Sequence, residues 1–309
     1  MTAKLMPGGP VADAVFEELK PRIDALTQTH GHQIGLGTIL VGDESASVRY
    51  VGMKMSRAQE LGWASPHIHL PEDATQADVV AAILRFNDDP AVDAFLVQHP
   101  TPPQIDYDAA LLEMDPDKDV DGMHPVNMGR LAMSVPGPVP ATPAGIEALL
   151  AYYEIPVAGH EVCILGRGYT LGRPLALLLS QKRPTANAAV TVVHTGVPDW
   201  PRYTRRAEIV VAAAGVPGIL QPEHIRPGAV VVGGGVRYEG RKLLPDVDER
   251  CEEVAGAITP RVGGVGPTTI AMLFRNAVEA AERASERPRT GYPGPQGASR
   301  GAGAESGQA

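Results

Sequence analysis

Short runs rich in Val and Ile alternate along the chain with longer stretches in which apolar residues return every three to four positions. The runs lie at 34–41, 67–70, 94–98, 161–165, 190–194, 208–214 and 229–232, and most are continuously apolar, which predicts strands buried on both faces. Helical stretches at 11–26, 44–62, 76–87, 143–153 and 171–181 fall between most of them. This alternation predicts an α/β fold with mostly parallel sheets covered by helices. Pro21 sits inside the first helical stretch, where its missing donor predicts a kink or a restart.

From 115 to 143 the periodicity gives way to Gly, Pro and Asp, ending in Val135-Pro136-Gly137-Pro138-Val139-Pro140. A stretch this long is either a linker or a functional loop. The domain boundary is placed near Ala141, giving a first α/β domain over 1–140 and a second over 141–266. A last helical stretch, 267–285, is expected to pack back onto the first domain and complete it. Gly, Pro, Ser and polar residues exclude a core beyond Arg287, so 287–309 is expected to be a disordered tail.

Composition narrows the function. A chain of 309 residues has room for two domains, and no apolar run is long enough to span a bilayer, so no membrane role is expected. The start, Met1 to Pro10, lacks the apolar core of a secretory signal, and Cys163 and Cys251 are too few for a disulfide framework; both features predict a reducing cytoplasm. No His-x-x-x-His or comparable pair organises the histidines, so no metal is expected. A formal charge of −9 and four Phe with two Trp argue against nucleic acid as a partner.

Four islands carry candidate chemistry. Ser47, Tyr50 and Lys54 fall at i, i+3 and i+7 of the 44–62 helix and share one face. A lysine among Val51, Met53 and Met55 either lays its stem along the apolar stripe and lifts its head into water, or loses solvation and exchanges protons near neutrality. The strand 161–165 opens into Gly166-Arg167-Gly168-Tyr169-Thr170-Leu171-Gly172, a spacing that suits either a phosphate at a helix start or a plain strand-to-helix turn. The next strand ends in His194-Thr195, without the acidic residue that would bind an unphosphorylated ribose, so with Arg167 nearby NADP is favoured over NAD. Asp117-Lys118-Asp119-Val120-Asp121-Gly122 is either a solvated loop or a carboxylate that reads a ligand's N–H groups. Gly263-Gly264-Val265-Gly266-Pro267-Thr268-Thr269 is either a helix entry or a close approach to a ligand.

Taken in order, these islands resemble the bifunctional methylenetetrahydrofolate dehydrogenase/methenyltetrahydrofolate cyclohydrolase family. The matching segments are Val41-Gly42-Asp43 with Ala46-Ser47, Tyr50-Val51-x-x-Lys54, Leu96-Val97-Gln98, Asp117 to Gly122 with His124-Pro125, Asn127-x-Gly129-Arg130, Thr142-Pro143-x-Gly145-Ile146, Gly166-Arg167 with Gly172-Arg173-Pro174, and Gly263 to Pro267 with Thr269. The resemblance spans roughly residues 3 to 285. It implies two α/β domains flanking a folate cleft, the second Rossmann-like. Tyr50, Lys54 and Gln98 would stand at the reactive centre, with Asp121 on the pterin ring and Gly264, Pro267 and Thr268 also at the substrate. NADP would lie on Gly166, Arg167, Gly168, Gly172, His194 and Thr195. The implied reactions are oxidation of 5,10-methylenetetrahydrofolate to the methenyl form and its hydrolysis to 10-formyltetrahydrofolate, a branch of one-carbon metabolism that feeds purine biosynthesis. A homodimer is implied by the resemblance alone.

The chain departs from the family pattern at several places. Gln98-His99-Pro100-Thr101-Pro102 stands for Gln-Leu-Pro-Leu-Pro, and Ala141 for a Cys. Gly233-Gly234-Gly235 replaces Asp-Val-Gly, and Arg261-Val262 replaces Val-Pro. The last two changes lie on the cofactor side, so the dehydrogenase activity is the less secure of the two; the alternatives are a relative with one activity lost or weakened, and a silent folate- or nucleotide-binding protein. Intact Tyr50, Lys54, Gln98 and Asp121 weigh against the second. A short-chain dehydrogenase is excluded, because its nucleotide motif precedes its Tyr-x-x-x-Lys pair and here it follows.

Overall fold

A computed structural model describes residues 3–30, 33–239 and 242–286, so the tail expected to be disordered lies outside the described residues. The chain runs β1 (Lys4–Leu5), α1 (Gly8–His30), β2 (Leu36–Val41), α2 (Ser45–Glu60), β3 (His67–Leu70), α3 (Gln76–Asp88), β4 (Ala94–Val97), α4 (Tyr107–Leu112), α5 (Pro125–Ala132) and α6 (Ala141–Tyr152). It continues through β5 (Glu161–Leu165), α7 (Gly172–Leu179), β6 (Ala189–Val193), α8 (Pro201–Thr204), β7 (Ile209–Ala212), β8 (Val230–Gly233), β9 (Val236–Glu239), β10 (Lys242–Pro245), β11 (Ala257–Ile258) and α9 (Val265–Glu286). The fold is α/β, and β9 and β10 form the antiparallel pair.

Two compact units emerge. One holds residues up to Glu18 together with Met128–Leu273, and its sheet has the order β1-β11-β8-β7-β5-β6 with parallel pairing throughout. The other holds Leu19–Asn127 and the described residues 274–286, around the parallel sheet β3-β2-β4. The residues before Glu18 thus group with the six-stranded unit, whereas the sequence reading starts the first domain at residue 1. The reason is local: Lys4 and Leu5 pair with Ala257 and Ile258, Met6 joins that unit's core, and Tyr153 Oη donates to the Pro7 carbonyl at 2.7 Å.

The strands form where the runs predicted them, and β2, β4, β5 and β7 are covered on both faces, whereas β3 and β6 are partly exposed. Every residue of β2 and β4 is buried, as are Cys163, Ile164 and Leu165 of β5 and all of β7. Helix starts are fixed by side chains: Glu44 accepts from the Ser47 amide at 2.7 Å to open α2, and Thr75 with Asp78 forms a capping box at α3. A cap of this kind contributes about 1 kcal/mol. α1 runs through Pro21 without restarting, contrary to one of the two expectations there. The 115–143 stretch is neither pure linker nor pure loop, since it contains α5.

Candidate active site

In the three-stranded unit, Gln98 directly follows β4, and its backbone amide extends the ladder to Ile39 O at 2.8 Å. Its side-chain Nε2 donates to the His99 carbonyl at 2.7 Å, which fixes the amide and leaves Oε1 to accept. Lys54 Nζ donates to that Oε1 at 3.1 Å from the third turn of α2. Tyr50 lies one turn earlier on the same helix face and is half-buried. Ser47, a further turn back, is buried, and its Oγ has no partner among the described residues. Burial pushes the Lys54 ammonium below the ordinary lysine range, while the Asp121 carboxylate works against that shift. Lys54 is half-buried, with its ammonium on the Gln98 amide.

The Asp117–Gly122 loop divides its charges by position. Phe95 forms a parallel bridge with Asp119, and its amide donates to the Lys118 carbonyl at 2.8 Å, so the segment lies beside β4. Lys118 is buried and turns its ammonium onto the carbonyls of Phe86, Asn87 and Asp89 at 2.7 to 2.9 Å, closing the end of α3. Asp119 is also buried and accepts from the amides of Gly122 and His124 and from Asn127 Nδ2, at 3.0, 2.7 and 2.9 Å. Burial pushes its carboxyl up to about 6 against the pull of these donors. Asp121 is left half-buried on the way out of the loop, and the parallel register carries it to the end of β4 where Gln98 stands. Sequence reading singled out Asp121 but missed that its two neighbours build the loop.

In the six-stranded unit a cavity of about 530 Å³ opens over the C-terminal ends of four parallel strands. It is lined by Gly166, Arg167 and Gly168 after β5, His194 and Thr195 after β6, Ala213–Val216 after β7, and Gly234–Val236 after β8. Successive connections leave β5 on opposite sides, toward β6 and then β7, and ligands of open parallel sheets bind at such a reversal. Gly166 has φ of +140°, and an added Cβ would stand 2.0 Å from the Ala213 carbonyl oxygen; at Gly172 it would meet Gly166 O at 2.2 Å. These glycines let strand, turn and α7 close around the cavity floor. Leu171 precedes α7 without a side-chain cap. His194 Nδ1 accepts the Gly196 amide at 3.1 Å, which puts the proton of the neutral ring on Nε2.

The other sequence-predicted positions sit in the same unit at the start of α9. Gly263 has φ of +74°, Gly264 packs against the Pro260 carbonyl, and Pro267 is half-buried. Thr268 is fully buried, donating its hydroxyl to Val265 O at 2.8 Å and packing under Gly145. Thr269 donates to the Thr142 hydroxyl at 3.2 Å, beside the cavity. Among the departures, His99 packs its ring edge-on to Tyr107 at 4.9 Å, and Arg261 reaches Glu249 at 2.9 Å and Leu243 O at 3.0 Å while Val262 is exposed. Among the described residues no group of three or more His, Cys, Asp or Glu is placed to hold a metal, and no helix is long and apolar enough to cross a membrane.

Residues 6–121 match the model of the tetrahydrofolate dehydrogenase/cyclohydrolase catalytic domain, and residues 140–285 match that family's NAD(P)-binding domain. The chain is 66% identical to bifunctional protein FolD 1 of Salinispora tropica, over 91% of this chain and 92% of that protein. It is 58% identical to the FolD protein of Syntrophotalea carbinolica, over 93% and 99%. Among solved structures, FolD of Trypanosoma brucei, complexed with NADP cofactor and an inhibitor, superposes with a TM-score of 0.85 at 34% identity, covering 93% of this chain and 100% of that one. With both domain models matched in order and relatives this similar along nearly their whole length, the chain belongs to the tetrahydrofolate dehydrogenase/cyclohydrolase family.

Proposed function

We propose that the chain carries out the NADP-dependent oxidation of 5,10-methylenetetrahydrofolate and the hydrolysis of the methenyl product to 10-formyltetrahydrofolate with Lys54 as the proton-handling group. The observation that carries this reading is the 3.1 Å contact between Lys54 Nζ and Gln98 Oε1, in a setting that lowers the amine's proton affinity. Hydride transfer from the methylene carbon needs mainly distance and angle to the nicotinamide. Water addition to the methenyl carbon and ring opening need a proton taken and returned, which a desolvated lysine held by an amide can do. Tyr50, on the same face, orders the substrate. Asp121 accepts two N–H bonds from the aminopyrimidine of the pterin, as a carboxylate with free lone pairs can. Gly264 and Pro267 touch the substrate, and Thr268 fixes the turn that presents them.

The cavity holds the dinucleotide. Gly166, Gly168 and Gly172 give the pyrophosphate close backbone approach, and Arg167 with His194 and Thr195 meets the ribose phosphate. In this reading the three-stranded unit carries the proton-handling chemistry on the folate, and the cavity of the six-stranded unit serves NADP. A cytoplasmic homodimer supplying one-carbon units to purine synthesis is the physiological form we assign. Absorbance of the purified protein with methylenetetrahydrofolate and either NADP or NAD tests the reading: methenyl accumulation and decay with NADP, and weaker response to NAD, are expected. No nucleotide-dependent methenyl formation would contradict it.

A further inference from the structure

Asp246 follows β10 and belongs to none of the motifs above, yet its atoms join two walls of the cavity. Its Oδ2 accepts from the amides of Ala214 and Gly215 at 2.6 and 2.8 Å, in the loop after β7. Its own amide donates to Gly235 O at 3.0 Å, in the loop after β8, and its carbonyl accepts from Leu220 at 3.0 Å. The side chain is fully buried, and the Gly235 Cα lies so close that an added Cβ would stand 2.0 Å from Oδ2. Burial pushes the carboxyl up, opposed by the amides of Gly215, Ala214 and Val216.

The peptide unit is planar and trans, so amides turned toward Asp246 turn the preceding carbonyls the other way. The Ala213 carbonyl accordingly lies against Gly166 at the cavity floor. The sheet order β8-β7-β5-β6 puts Arg167, His194 and Thr195 at one side of the cavity and the loops after β7 and β8 at the other. With the ribose phosphate on the first side, the far half of an extended dinucleotide reaches the second.

We infer that Asp246 is a positioning residue for the nicotinamide half of the cofactor: it holds the loops after β7 and β8 together so that carbonyl oxygens line that end of the site. The inference rests on the reading of this cavity as the NADP site. A ring carrying positive charge and a carboxamide N–H donor group is the chemistry that a carbonyl-lined wall accepts.

Calorimetric titration of the full chain and its variants with NADP and with 2′,5′-ADP, which lacks the nicotinamide half, tests it. Asp246→Asn keeps the shape and can turn its carbonyl oxygen to the two amides, but it removes the charge that assists both hydrogen bonds and puts an N–H₂ at the buried Oδ1 position. NADP affinity should fall about tenfold or more, the scale of one charge-assisted contact, while the fragment binds as to the parent. Gly235→Ala should reproduce that pattern by pushing the carboxylate aside, and it decides the matter if Asp246→Asn does not fold. Parent protein that binds neither ligand would refute the reading of the cavity itself. A parent that binds NADP, with variants that bind it equally well or lose NADP and fragment alike, would overturn the role given to Asp246, as would failure of both variants to fold.

Discussion

Lys54 and Asp121 are coupled by charge while serving different partners. Asp121 raises the proton affinity that burial lowers at Lys54, so a substrate that occupies the carboxylate also weakens its hold on the amine's proton. Asp121→Asn removes the raising influence: the Lys54 titration should move further down in pH, and folate affinity should fall. Competitive acylation of Lys54 across pH, with calorimetry for folate, reads both; a Lys54 midpoint equal to that of surface lysines, or unchanged folate affinity, would contradict the pairing. Spacing placed Tyr50 and Lys54 on one helix face, because i and i+4 share it, and only the resemblance gave them a role. It did not separate the acids of 117–121, because which one turns inward depends on the Phe95 to Asp119 bridge, a contact across the sheet. Asp246 was invisible for the same reason, since the amides it holds lie some thirty residues upstream.

Helices with a clear apolar period and strands with continuous runs were legible to within a few residues. β1 and β11 were not, because two residues show no period and their pairing joins segments far apart in the sequence. The β9–β10 hairpin and α5 hid behind glycine and proline. Where elements meet, single side chains carry the join. Lys118→Met would leave the Phe86 and Asn87 carbonyls at the end of α3 without their donor, while Asp89 O keeps the Val92 amide, and chemical denaturation should show a loss of about 2–4 kcal/mol. A loss below about 0.5 kcal/mol, the size of an ordinary surface change, would mean that the helix end finds other partners. Gly166→Ala places a Cβ on the Ala213 backbone at a left-handed φ, so the turn after β5 must shift. NADP affinity should drop at least about tenfold in a fluorescence titration, and unchanged affinity would show that the turn tolerates the methyl.

Across the molecule, the proposed function puts nucleotide recognition and proton handling in different units, which makes them separable by substitution. Arg167→Ala should weaken NADP about ten- to a hundredfold through loss of a charge-assisted bond and leave NAD little changed; equal loss for both would remove the case for a ribose phosphate. The sharpest separation concerns Lys54. Lys54→Met keeps most of the stem's volume and removes the amine, so substrate still binds. The deciding measurement follows methenyltetrahydrofolate absorbance in this variant, once with methylenetetrahydrofolate and NADP and once with preformed methenyltetrahydrofolate. Methenyl formation that persists while its hydrolysis falls to the solvent background is the expected result. Hydrolysis at the parent rate, in a folded variant that binds folate, would show that the amine does not handle the proton.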